Sequence, residues 1–342
     1  MVLVVLLAAA ALFAGGASEK GSGMKAAMAT DVGGLGDKSF NDGSFAGLEM
    51  ARDKLGVDIA VVESKEMTDY VPNLSGLAED GADIVFAVGF LMADAMVEAA
   101  ANNPDAYFAG IDIFIDPASA PENALGILFK EHESGYLAGV VAGLMTKEYA
   151  SASPRLNDKN VVGAVLGMDI PPVERFQAGF YAGVKSVNPD CKVLSVVTGS
   201  FTDLAKGKEA AIAMIEQGAD IIFQIAGLTG LGALQAAKER GVCGIGVDVD
   251  QYAEAPEAII TSAEKKLTQA AYLVIESVVN GTFKGGIVEY GINEGATGIS
   301  PFHEFENVVP KAVKDAVKKA TEDMKSGKIK VPATRAEAGY SG

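Results

Sequence analysis

The strongest constraint on the fold is that the chain contains itself twice. Gly81-Ala82-Asp83-Ile84-Val85-Phe86 returns 137 positions later as Gly218-Ala219-Asp220-Ile221-Ile222-Phe223. Phe45-Ala46-Gly47 returns as Tyr181-Ala182-Gly183, and Phe108-Ala109-Gly110-Ile111-Asp112 as Gly244-Ile245-Gly246-Val247-Asp248, each 136 positions on. The apolar run that opens at Lys25 has its counterpart at Asn160–Val165. Several matches at one offset mark a duplicated unit, and 342 residues leave room for two domains.

Within the first copy, short apolar runs alternate with helical patterns. Strands are expected near 25–30, 58–63, 83–88 and 106–111, with helices near 39–55, 70–80 and 92–102. Such alternation predicts βαβ units, hence parallel sheets with helices on both faces. The expected fold is α/β: two doubly wound, Rossmann-like lobes with a hinge and a ligand cleft between them. The second copy ends near 250, and the remaining segments are expected to cross between the lobes again. That gives an N-terminal lobe of 25–131 with about 260–290, and a C-terminal lobe of 132–259 with about 291–342. Cys191 and Cys243 precede the second and fourth strands of the second copy. A doubly wound order separates those strands, so no disulfide is expected.

Residues 1–17 carry no charge and are too short for a comfortable membrane span. They are expected to be a signal peptide, with Gly15 and Ala17 at the −3 and −1 positions of the cleavage site and a polar linker at 18–24. The first positive charge is Lys20, so the basic start of such a signal is missing and the true start codon is expected a few codons upstream. No Cys lies nearby to accept a lipid. The expected location is therefore the periplasm, without a lipid anchor.

Composition narrows the chemistry. Lys and Arg number 28 against 45 Asp and Glu, a net charge of −17 that repels nucleic acid and anionic lipid surfaces. Two His, two Cys and no Cys-x-x-Cys or His-Glu-x-x-His leave a metal site almost no ligands. Neither the glycines at 33–36 nor those at 227–230 match a dinucleotide or P-loop spacing.

Open α/β sheets bind ligands beyond the carboxyl ends of their strands, so those ends are the places to read. The first is followed by Asp31, a glycine turn, Asp37 or Ser39 as a helix cap, and then Phe40 and Asn41. The third strand of the first copy ends at Gly89-Phe90-Leu91-Met92, and its counterpart runs Phe223-Gln224-Ile225-Ala226-Gly227. The fourth strands end in Asp112 and Asp248, two equivalent carboxylates facing one cleft, and Lys265 is positioned to add a cation. Two aromatic faces with several carboxylates and an amide suit a flat base carrying a diol. Aromatic stacking is worth about 1–3 kcal/mol per base, and a carboxylate accepts from two adjacent hydroxyls at once. Phosphate would be repelled.

Five segments carry a resemblance: Asp31-(x5)-Asp37-Lys38-Ser39-Phe40-Asn41, Gly89-Phe90-Leu91-Met92, Glu133-Ser134-Gly135-Tyr136-Leu137-Ala138-Gly139, Phe223-Gln224-(x2)-Gly227 and Gly246-Val247-Asp248-(x)-Asp250-Gln251-Tyr252. From about Lys25 to Pro332 the chain resembles the basic membrane protein family of ABC-transporter substrate-binding proteins, in particular its spirochaete purine nucleoside receptors. The resemblance implies a periplasmic-binding-protein type I fold. It implies Phe40 and Phe223 sandwiching the base, Asp112 and Asn41 reading its polar edge, and Asp248 and Lys265 holding the ribose, with Asp31 and Gly227 alongside. It also implies a purine nucleoside ligand and ABC permease subunits of the inner membrane as partners, for a monomer that needs no cofactor. Three departures stand out: no lipobox Cys, the run Glu131-His132-Glu133, and Leu228 where relatives often have Gly.

Two other functions compete. A nucleoside hydrolase would suit the same ligand, but needs a calcium-binding Asp cluster that the Val-Gly-Gly after Asp31 does not provide, and neither His132 nor His303 falls at an expected strand end. A ligand-binding sensor of the same fold is not separable by sequence. The stretch 309–330, with lysines opposite Ala and Val, is expected to be a solvated amphipathic helix lying on a lobe.

Overall fold

A computed structural model describes residues 23–340; the expected signal segment, 1–17, and all but the end of the linker lie outside them. The first copy folds as β1 (Lys25–Thr30), α1 (Phe40–Leu55), β2 (Asp58–Glu63), α2 (Tyr70–Glu79), β3 (Ile84–Val88), α3 (Ala93–Asn102), β4 (Tyr107–Ile111) and β5 (Ala124–Phe129). After α4 (Glu131–Met145) the second runs β6 (Val161–Leu166), α5 (Pro171–Val187), β7 (Lys192–Val197), α6 (Leu204–Glu216), β8 (Ile221–Ile225), α7 (Gly227–Arg240), β9 (Cys243–Asp248) and β10 (Ile259–Lys265). The chain ends with α8 (Leu267–Val279), β11 (Gly286–Tyr290), β12 (Thr297–Ile299) and α9 (Lys311–Lys325).

Two six-stranded sheets result, ordered β11-β5-β4-β3-β1-β2 and β12-β10-β9-β8-β6-β7. Pairing is parallel apart from the antiparallel β10–β12 edge. The central strands β3, β6, β8 and β9 are buried on both faces, as continuous apolar runs in a helix-covered parallel sheet require. The repeated Gly-Ala-Asp-Ile segment is structural. Gly81 and Gly218 both take a left-handed φ, 84° and 104°, to turn from helix to strand. Asp83 and Asp220 then begin the parallel ladders, their backbone amides donating to Lys25 and Val161 carbonyls at 2.9 and 3.2 Å.

The chain crosses between lobes three times: after β5, after β10 and between β11 and β12. The second crossing was expected at about 260, but β10 pairs in the second sheet and carries the chain there to Lys265. Parallel pairing with β9 sets that point. Glu133 and Ser134, at the start of α4, tie the crossings together. The Glu133 carboxylate accepts from the Ile292 amide (2.6 Å) and the Thr297 hydroxyl (2.7 Å). Ser134 Oγ donates to the Glu264 carbonyl (2.6 Å) and accepts from the Gly298 amide (2.9 Å).

The crossover helices pack on the repeat-related helices through glycine. A Cβ at Gly179 of α5 would lie 2.0 Å from the His132 carbonyl oxygen, and one at Gly183 2.1 Å from that of Tyr136. Gly47 of α1 meets α8 in the same way, 2.7 Å from the Thr268 carbonyl oxygen. Gly183 and Gly47 are the equivalent positions of the Tyr-Ala-Gly and Phe-Ala-Gly repeats. The amphipathic helix expected near the C-terminus is α9, which buries Val313, Ala320 and Met324. Cys191 and Cys243 are free and buried, with β6 and β8 standing between their strands.

Candidate functional site

The strand ends of the two sheets face each other across a cleft lined from both lobes, the place where open α/β sheets take ligands. Seven of the eight residues expected at the site line it: Asp31, Phe40, Asn41, Asp112, Gly227, Asp248 and Lys265.

Phe223 is the exception, and its expected place against the base is corrected. It is fully buried in β8, its ring 5.1 Å from Phe180 and 6.2 Å, edge-on, from Phe176. Lying two residues before the strand end, it points into the layer between the sheet and α5, while Ile225 and Ala226 reach the cleft. Phe176, on the first turns of α5, lines the cleft instead. The offset of 136 that relates Asp112 to Asp248 also relates Phe40 to Phe176, so extending the repeat by residue number would have found it. Phe201, in the loop after β7, also lines the cleft, its ring so close over Gly167 that a Cβ there would sit 2.2 Å away.

The Asp residues at the ends of β4 and β9 share a rare backbone. Asp112 has φ 60° and Asp248 φ 67°, a left-handed conformation that Asp tolerates better than most residues. Between them lies Lys265, 2% exposed, its Nζ 2.5 Å from Asp112, 3.4 Å from Glu131 and 3.8 Å from Asp248. Burial alone would lower the Lys265 pKa; the three carboxylates more than offset this and hold it above its ordinary value. Burial likewise raises Asp112 and Asp248, against the pull of the Lys265 ammonium. Glu131 was not anticipated as part of this set. Fully buried, it takes Lys265 on one oxygen and Arg175 (2.6 Å) on the other. The ammonium also lies 4.7 Å from the Phe40 ring centre and 5.8 Å from that of Phe176.

Asn41 is oriented by its neighbours. Its Nδ2 donates to Asp31 Oδ1 and to Asp37 Oδ2, both at 3.3 Å, which turns its carbonyl oxygen the other way. That Oδ1 and Asp112 Oδ1 are buried acceptors with no hydrogen bond from the protein. Asp37, two residues before the N-cap Ser39 of α1, accepts the backbone amides of Ser39, Asn41 and Asp42 at 2.8–3.1 Å. Burial pushes both Asp31 and Asp37 up to about 6. The polar surface of the cleft is thus rich in acceptors and suits ligand N–H and O–H groups. Neither histidine lines it: His132 starts α4, and His303 pairs with Asp250 at 2.6 Å on the surface. Among the described residues no cluster of three or more His, Cys, Asp or Glu is arranged to hold a metal.

Comparisons with known proteins agree with this fold. The profile of a family described as PnrA-like ABC transporter substrate-binding protein matches residues 24–335. An ABC transporter nucleoside-binding protein, BmpA of Lactococcus lactis, is 33% identical over 97% of both chains. An uncharacterized lipoprotein of Pyrococcus furiosus is 36% identical over 87% of this chain and 75% of its own length. The crystal structure of an ABC transporter solute-binding protein from Aeropyrum pernix superimposes with a TM-score of 0.82 at 30% identity, covering 90% of this chain and 94% of that one.

Proposed function

Because the chain belongs to the Bmp family of PnrA-like ABC transporter substrate-binding proteins, we propose that it captures purine nucleosides in the interlobe cleft and delivers them to its permease. One observation carries the reading: an aromatic ring from each lobe, Phe40 and Phe176, beside the buried acceptors Asn41 Oδ1 and Asp112 Oδ1. A planar base stacks on the rings for about 1–3 kcal/mol, and its N–H groups donate to the two acceptors. The ribose hydroxyls donate to Asp248, whose charge Lys265 balances, with Asp31 alongside. The name of the Lactococcus relative supports the ligand class. Four carboxylates and one ammonium line the cleft, a balance that disfavours a phosphorylated ligand. Capture is extracytoplasmic, by a monomer, and the ligand leaves unchanged.

The test is calorimetric titration with inosine, guanosine, adenosine, cytidine, ribose and guanosine monophosphate. Purine nucleosides are expected to bind, and ribose and the monophosphate to give no heat. Tight binding of ribose without nucleoside binding overturns the proposal. Release of free base during incubation would instead make the chain a hydrolase.

A further inference from the structure

We infer that Gln251 is a positioning residue that latches the closed cleft: its amide, oriented by Gln224, donates the hydrogen bond that joins the second lobe to the Lys38 carbonyl of the first. Gln251 lies just beyond β9 and is 2% exposed. Its Oε1 accepts from Gln224 Nε2 at 2.6 Å and from the Val247 amide at 2.9 Å. With the oxygen doubly engaged, only the NH2 is left for the first lobe, and it donates to Lys38 O at 2.9 Å. Lys38 adopts a left-handed φ of 51° in the turn that presents this carbonyl. The next residue repeats the contact: Ser39 Oγ donates to Asp248 Oδ2 at 2.6 Å. The Lys38–Ser39 turn is therefore seated on the second lobe at two adjacent points.

The relay begins at the cleft wall. Gln224 Oε1 accepts from the amide of Ala226, a cleft-lining residue, at 3.0 Å. Both glutamines lie against glycine: a Cβ at Gly230 would come within 1.7 Å of Gln224 Oε1, and one at Gly246 within 2.8 Å of Gln251 Oε1. Three amides in series thus run from the ligand-facing backbone to the interlobe contact. The bond to Lys38 spans the two lobes, so separating them there would break it, and its free energy then enters the open–closed equilibrium and, through it, ligand release. This deepens the nucleoside-receptor proposal and rests on it.

Gln251→Glu isolates the bond. The carboxylate still accepts from Val247 and Gln224 but has no proton for Lys38 O, so two oxygens would face each other. Stopped-flow binding of inosine and guanosine is the measurement. The dissociation rate is expected to rise about 10- to 100-fold, as for a buried acceptor left unpaired, with the association rate changed by less than about 2-fold because encounter involves the open form. A wild-type chain that binds while Gln251→Glu dissociates at the wild-type rate overturns the latch and leaves the binding proposal standing. A wild-type chain that binds no purine nucleoside overturns both. If Gln251→Glu does not fold, Ser39→Ala removes the other point of the same turn. A rise of about 5-fold in its dissociation rate is expected, and an unchanged rate overturns the latch.

Discussion

Replacing Phe40 and Phe223 separately by Ala distinguishes a ring that meets ligand from one that supports the wall behind it. Phe40 is half-buried at the first turn of α1 and lines the cleft. Its truncation should remove one stacking face, about 1–3 kcal/mol or roughly 5- to 150-fold in Kd. Phe223 is fully enclosed by core side chains, including Phe176 and Phe180. Its truncation should leave a cavity costing about 3–5 kcal/mol of stability, a fall in Tm on the order of 10 °C. The assay is a pair of measurements on each variant: Kd by calorimetry at a temperature where both are folded, and Tm by scanning calorimetry. The expected result is a double dissociation, with Phe40→Ala losing mainly affinity and Phe223→Ala mainly stability. If Phe223→Ala keeps its Tm and loses as much affinity as Phe40→Ala, the Phe223 ring faces ligand and the reasoning fails.

Three other outcomes follow from the geometry. Lys265→Met leaves Asp112, Glu131 and Asp248 around an uncharged side chain; urea unfolding should show a loss of about 3–5 kcal/mol at neutral pH, smaller near pH 5 where Asp112 can take a proton, and nucleoside heats should vanish. Asp31 has a folded pKa of about 6 against 3.8 unfolded, so the folded state holds the proton more tightly and stability falls as pH rises between those values. Relative to Asp31→Asn, the wild type should therefore lose about 2 kcal/mol from pH 4 to pH 7, and parallel urea-unfolding profiles for the two would refute that environment for Asp31. Gly179→Ala drives a methyl into the His132 carbonyl, whereas Gly76 in α2 has open space at its Cβ. The first should destabilise by about 1–3 kcal/mol and the second should stabilise by up to about 1 kcal/mol, both read by Tm.

Much of the frame is legible because one offset governs it. The alternating runs of the first copy become β1 to β4 and α1 to α3 within a residue or two, and two equivalent Asp residues mark where the sheets meet. The end of the duplication is less legible. Glu131 and Leu267, which begin α4 and α8, are also 136 apart, so the crossover helices belong to the repeat. Their side chains have diverged, and only helix geometry and the glycine contacts preserve the relation. Phe223 misleads for a different reason. Every residue of β8 is buried, so apolarity does not distinguish the end facing the cleft from the face under α5. The Lys265–Glu131–Arg175 chain joins residues from three separate elements, and no local spacing announces it.

The crossovers also order the assembly of the molecule in time. The first lobe takes α8 and β11 from residues 267–290, after nearly all of the second sheet has been made. Until then β5 is an open edge, and the glycine face of α1 has no helix to close against. During synthesis from the N-terminus, the first lobe must wait, incomplete, for about half the chain to be added, while the second needs only its short edge strand β12 and α9 afterwards. A fragment ending at the natural-looking boundary near 130 would expose that edge and that face together, a combination that favours pairing with other chains over folding alone.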